Sequence, residues 1–405
     1  RRASEVLLLL TNVPHKPERK QLLPFAALSA SYFAHIGFFN PYLPLWLKDL
    51  GFGLFAISVL TSVQSATRLF APYGWGWLSD HTGERVRLLR YGATVALLAS
   101  LGLWFDLGTT GLFLVLLLMF THTSGMMPMS EAALAQLVSR DGGFDARRYG
   151  RVRVWGSIGF LVTVVVAGAW FEHTGMQSFP LWTLATLAAV ALSTWRLPDA
   201  REPVHIEQTR PRIWPVLRQP AVAWFFAAVF FHVLAHIFIY IFLSLYLDSL
   251  GYSKTVIGLL WALSVAIEVG WFFTQGRWLP LLSLPAWLVL AAGLMALRMG
   301  FTAALASSLA VLVLAQALHA ITFAAHHTVC IAWISEHFPG RLRGRGQALY
   351  AVLGYGLPGV VGGLAGGLLS SALGLASVFW LSSACGVAAA LCALRVWRLR
   401  RAPRS

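Results

Sequence analysis

The chain has 405 residues, 58% hydrophobic and only 12% charged, with a net charge of +15 and a mean hydropathy of +0.68. A soluble domain carries about 25% charged residues, so that class is excluded, and the alternating ten-residue segments of a membrane barrel are absent. The positive charge lies in loops between apolar runs. It therefore argues for membrane topology and contact with anionic lipid, and against a nucleic-acid partner.

The apolar runs are long enough to cross a bilayer as helices. Twelve spans are predicted, at 24–47, 54–78, 88–106, 111–137, 151–171, 178–196, 221–247, 254–275, 285–303, 306–334, 345–370 and 374–394. With the N-terminus in the cytoplasm, all but five of the 31 Lys and Arg fall on the cytoplasmic side or at its edge. The five are Lys48 and Lys254 outside, and Arg68, Arg153 and Arg298 within spans. The positive-inside rule selects this orientation, with both termini cytoplasmic.

Residues 1–23 read as a basic cytoplasmic tail without a cleavable signal, because the apolar run that follows is long enough to span. The first half of the chain is predicted at 1–196 and the second at 221–405. The segment 197–220 between them is polar, with Pro198, Pro203, Pro211, Pro215 and Pro220, and reads as a cytoplasmic linker. The halves repeat at an offset of 200 residues. Leu43, Leu45, Leu47, Leu50, Gly51, Ile57 and Leu60 recur as Leu243, Leu245, Leu247, Leu250, Gly251, Ile257 and Leu260. Trp46 and Phe52 recur as the aromatics Tyr246 and Tyr252. Two six-helix halves of this kind would enclose a cavity near the midplane. Cys330, Cys385 and Cys392 show no metal spacing and read as buried thiols.

After the second span the chain reads Gly76-Trp-Leu-Ser-Asp80-His-Thr-Gly83-Glu-Arg85. Gly76 would allow close helix approach, Gly83 a tight turn, and Asp80 a bond to Arg85 or to a helix N-terminus. Such a lock holds one conformation and releases in another. This loop resembles the signature loop of the major facilitator superfamily, although His81 and Glu84 stand where that family usually has basic residues. The equivalent loop of the second half, Gln275-Gly276-Arg277, lacks the Asp.

Glu131 followed by Tyr149-Gly-Arg-Val-Arg153-Val-Trp-Gly-Ser-Ile-Gly-Phe160 is similar to the corresponding region of lactose permease, as are Arg298 and Leu318-His319. Arg68, the run from Trp261 to Glu268 and the segment ending at His326 resemble the phenylpropionate permease family of proton symporters. The resemblance implies a bacterial-type inner-membrane permease. It would use the proton as co-substrate, with no cofactor and no metal, and move a small molecule by alternating access. An aromatic carboxylate is the favoured substrate. A sugar or nucleoside symporter is the alternative, and a drug antiporter, membrane enzyme or sensor lies further off.

Charges within spans are costly and mark pathways. Arg68 and Glu268 occupy equivalent positions of the repeat and could face one cavity from both halves. The resemblance assigns Glu131 and Arg153 to substrate, with Phe160 stacking on the guest. Arg153, Ser157 and Phe160 share one helix face. The competing reading is that Arg153 snorkels to the cytoplasmic edge. Glu268 is the candidate proton carrier, with His319 and Arg298 coupled to it. The position three residues after His319, where lactose permease has a carboxylate, is Thr322. His232, His236 and Tyr240 form one stripe on the seventh span, and His319 and His326, seven apart, form another on the tenth. Metal is one reading of these stripes and core histidines satisfied by their neighbours another; hydrogen bonding to substrate by His236 and His326 is the one adopted. Gly359, Gly363 and Gly367, with Gly362 and Gly366, predict close helix packing.

Overall fold

The computed structural model describes residues 19–138, 145–199, 213–339 and 342–401. Most of the N-terminal tail, Arg140 and Asp141 of the charged loop, and Pro203 and Pro211 of the linker lie outside the described residues.

Twelve helices among the described residues are long and apolar enough to span a membrane. Spans 1–6 are Gln21–Asp49, Leu54–Thr82, Arg85–Trp104, Gly108–Val138, Arg148–Thr174 and Met176–Trp195. Spans 7–12 are Pro220–Ser249, Lys254–Leu281, Leu284–Leu305, Leu309–His337, Gly344–Leu373 and Leu375–Arg400. They match the predicted spans to within a few residues at each end. An even number of crossings puts both chain ends on one face; the opposite face is called distal below.

The repeat is visible in backbone hydrogen bonds. Gly51 and Gly251 both adopt the left-handed region, at φ 87° and 84°, where a side chain would be strained. Gly51 N–H bonds Lys48 O at 2.9 Å and Phe52 N–H bonds Leu47 O at 3.1 Å. Gly251 N–H bonds Asp248 O at 3.0 Å and Tyr252 N–H bonds Leu247 O at 3.1 Å. One turn, built twice, joins spans 1 to 2 and 7 to 8.

Packing follows the same symmetry. Span 1 lies against spans 5 and 6, and span 7 against spans 11 and 12. Between halves, span 2 packs on span 11, its counterpart span 8 packs on span 5, and span 1 meets span 7. The span 2–span 11 seam is made by small residues. A Cβ on Gly359, Gly363 or Gly367 would run into Ser65, Ser62 or Ser58 respectively. Gly362 and Gly366 turn the other way, onto Ile237 and Phe242 of span 7. Span 11 thus uses glycine on two faces. Large apolar side chains such as Phe273 and Leu368 remain exposed on the outside of the bundle, as a lipid-facing surface requires.

Four of the described spans are interrupted within their length, span 4 at the turn between Gly108–Thr123 and Met126–Val138. Span 2 breaks between Leu54–Thr67 and Ala71–Thr82. Pro72 lacks the N–H that would bond Arg68 O, and its ring clashes with that carbonyl. Tight bonds fill the gap, Arg68 N–H to Ser65 O and Phe70 N–H to Thr67 O, both 3.2 Å. Spans 10 and 11 contain π-helical turns at Ala320–Ala325 and Val352–Gly356.

Candidate substrate cavity

A cavity of about 320 Å³ lies between the halves. Small-molecule sites typically measure about 300–1,000 Å³. Its walls come from spans 1, 2, 4 and 5 of one half and the equivalent spans 7, 8, 10 and 11 of the other. The break in span 2 delivers Arg68 to it, beside Gln64, which donates to Asn40 Oδ1 at 3.3 Å. Arg153, Ser157 and Phe160 line it together, as their spacing predicts. Glu268, Trp261 and Ser264 face them from span 8. Tyr240 stacks on Trp261, ring centroids 5.8 Å apart, and forms an aromatic shelf on the wall.

The three intramembrane arginines differ in how they are satisfied. Arg153 donates from Nε to Glu131 at 3.0 Å, and its guanidinium lies 4.3 Å over the Phe33 ring. Both side chains of that ion pair are about one-third exposed, 36% and 35%. Arg298 is buried behind the wall, bonded to Gln316 Oε1 at 2.7 Å and Thr322 Oγ1 at 2.9 Å. Arg68 has neither a side-chain hydrogen bond nor an ion pair among the described residues.

Glu268 and Arg68 both line the cavity, as their symmetry-related positions suggest, yet they are not bonded to each other. Glu268 Oε2 lies 3.2 Å from His319 Nε2. His319 Nδ1 faces Arg298 at 3.5 Å. Arginine is only a donor, so Nδ1 must accept. The neutral ring then carries its proton on Nε2 and donates it to a Glu268 carboxylate. Thr322 does not take the place of a carboxylate; its hydroxyl accepts from Arg298 and donates to Leu318 O.

Several expected residues stand elsewhere. Glu131 is not part of the wall; it stands behind Arg153 and orients it. His236 and His326 are also absent from the wall. His236 is buried among His319, Tyr240 and Phe323. His326 stacks on His232 at 3.6 Å, and His232 donates to Thr322 O at 2.7 Å. For His326 the reason is the π-helical turn of span 10. Seven-residue spacing aligns side chains only in a regular α-helix. The extra residue aligns His319, Phe323 and His327 instead, with successive centroids 4.9 and 6.2 Å apart and rings within 12° of parallel. His327 joins Tyr350 and Tyr355 at 3.1 and 3.3 Å. Among the described residues no group of three or more His, Cys, Asp or Glu is placed to hold a metal.

The signature loop differs in one part. Gly83 ends the helix at φ 65°, and Arg85 bonds Ser79 Oγ at 3.0 Å and Asp80 Oδ1 at 3.4 Å. Gly76 faces open space, so the close helix approach expected there does not occur in this conformation. Phe33, Asn40, Phe323 and Tyr355 were not foreseen on the wall. Phe33, Ile36 and Asn40 were readable, being spaced i, i+3, i+7 on one face of span 1. Phe323 and Tyr355 were not, because each sits in a π-helical turn.

Two symmetric six-span halves around a largely apolar central cavity that carries Arg68, Arg153 and Glu268 on its wall have the architecture of a carrier of small solutes across a membrane. Residues 27–381 match the MFS_1 like family, and the chain belongs to it. It is a secondary transporter and not an enzyme. It is 25% identical over 355 residues to a probable 3-phenylpropionic acid transporter of Escherichia coli (strain K12), covering 87% of this chain and 91% of that protein. It is 26% identical over 349 residues to a maltose permease of Geobacillus stearothermophilus, covering 85% and 86%. Among solved structures it superposes on the nucleoside transporter NupG with a TM-score of 0.76 and 16% identity, over 93% and 99% of the two chains. A POT family transporter gives a TM-score of 0.77 at 12% identity, over 96% and 98%. At these identities the structures establish the fold alone.

Proposed function

We propose that the chain is a proton-coupled symporter that imports a small organic anion, an aromatic carboxylate of the phenylpropionate type, by alternating access. One observation carries the reading: among the described residues Arg68 is a cavity-lining guanidinium with no side-chain hydrogen bond or ion pair, while Arg153, Arg298 and Glu268 each have a partner. A half-buried cation within a span still carries a desolvation cost, and a carboxylate guest would offset it with charge-assisted bonds. The Tyr240–Trp261 shelf and Phe160 would take its ring. Glu268 would be the proton carrier. Protonation removes the charge that His319 bonds, and the neutral carboxyl lets the loaded cavity reorient. Arg298 would favour release by fixing the His319 tautomer that donates to the carboxylate. Asp80, Gly83 and Arg85 would act as a conformational lock on the face that carries both termini, which the positive-inside rule would make cytoplasmic.

A sugar or nucleoside symporter is the second reading. The Glu131–Arg153 pair beside Phe160 could hydrogen-bond hydroxyls, and the relatives include a maltose permease. Purified protein in liposomes without a membrane potential tests both. The lumen should acidify on addition of 3-phenylpropionate and not of maltose or uridine. Acidification with maltose or uridine alone would replace the first reading by the second. Uptake without any pH change would remove the proton.

A further inference from the structure

We propose that the distal end of the cavity is closed by a latch in which Tyr42, Lys48 and Glu172 of the first half hold Asp248 and the start of span 8, and that its release opens the cavity to that face. The inference rests on the alternating-access reading but not on the identity of the substrate.

Among the described residues three bonds cross between the halves there. Lys48 Nζ donates to Asp248 Oδ2 at 2.7 Å. The backbone N–H of Lys254 donates to Glu172 Oε2 at 2.6 Å, so a carboxylate of one half caps a helix of the other. The Tyr42 hydroxyl lies 3.1 Å from Lys254 O. These residues belong to spans 1, 5, 7 and 8, which also wall the cavity. Lys48 and Asp248 are equivalent positions of the repeat, 200 residues apart. Two equivalent positions touch only close to the pseudo-two-fold axis, so the pair marks that axis at the distal end.

The parts suit a contact that must open and close. Lys48 and Asp248 are partly exposed, 48% and 23%, and such ion pairs are weak enough to exchange with water. Glu172 is exposed, so water can replace its partner. Tyr42 is fully buried, yet it has a second acceptor in its own half, Val164 O, also at 3.1 Å. It has one proton and two carbonyls, so parting the halves leaves it still bonded. Glycine permits the closure. A Cβ on Gly168 would lie 2.4 Å from Tyr42 Oη and 2.7 Å from Lys254 O. A Cβ on Gly258 would lie 2.5 Å from Tyr42 Oη and 2.7 Å from Val164 O. Spans 5 and 8 can meet over Tyr42 only because both positions lack a side chain.

The test is accessibility. Thr61 on the cavity wall is replaced by Cys; the three native cysteines are buried. A membrane-impermeant maleimide is applied to sealed vesicles of each orientation, without substrate. Labelling from the distal face should be low in the parent and rise at least fivefold in Asp248→Lys and in Gly258→Ala. The double reversal Lys48→Asp with Asp248→Lys should return it to the parent level. Unchanged distal labelling in both single variants, each running as a monodisperse peak, would overturn the latch. A double reversal that stays open would remove the ion pair from it. Because no substrate is present, failure here is separate from failure of the phenylpropionate reading.

Discussion

Replacing Arg68 by Met isolates the charge that carries the functional reading. The side chain makes no hydrogen bond or ion pair among the described residues, so the substitution breaks no bond within the protein. Removing it should leave the melting temperature unchanged or slightly higher. Arg298→Met supplies the contrast. It strands Gln316 Oε1 in a buried site, at about 1–3 kcal/mol, and takes from Thr322 Oγ1 the donor it accepts from, leaving that hydroxyl only its own bond to Leu318 O. For binding, a hydrogen bond to a charged group contributes about 1.5–3 kcal/mol net. At about 1.4 kcal/mol per factor of ten, Arg68→Met should weaken 3-phenylpropionate binding by roughly 10- to 150-fold. The neutral 3-phenylpropionamide keeps the ring and should lose about threefold or less. Calorimetric titration of both ligands into detergent-solubilised protein makes the comparison. Equal losses for acid and amide, or no loss for the acid, would refute the assignment of Arg68 as the anion site. A large fall in melting temperature would show that the guanidinium is structurally bound after all.

Two further predictions rest on other parts of the structure. Glu268→Gln should abolish uphill, proton-driven accumulation while leaving exchange of internal for external substrate, because a permanently neutral side chain permits reorientation but carries no proton. Accumulation at the parental rate would remove Glu268 from the mechanism. Gly363→Ala would bring a Cβ to 1.5 Å from Ser62 Oγ and 2.7 Å from Ser62 Cβ, so spans 2 and 11 must part. Transport should fall at least tenfold, and Ser62→Gly added to it should restore most of the loss; no rescue would mean that the seam is not limited by that contact.

Part of this protein is local in origin and was therefore legible. Twelve spans follow from runs of apolar residues, because the bilayer selects length and hydropathy without regard to neighbours. The repeat was legible through Leu50-Gly51 and Leu250-Gly251, since a left-handed turn demands glycine at a fixed position. Arg153, Ser157 and Phe160 were correctly read to one face because span 5 is a regular helix.

What failed to read was whatever depends on a second element. Seven-residue spacing put His326 beside His319, but the π-helical turn at Ala320–Ala325 hands that place to His327. A sequence carries no direct mark of such a turn, because packing against neighbouring spans decides whether the extra residue is accommodated. Glu131 and Arg298 were recognised as unusual charges, yet only the fold showed them behind the wall, holding other residues. The distal contact of Lys48 with Asp248 joins positions 200 residues apart. Charge alone could pair either with several others on that face. Only the docking of two halves about a common axis brings them together, and that docking is a property of whole surfaces rather than of any local stretch of chain.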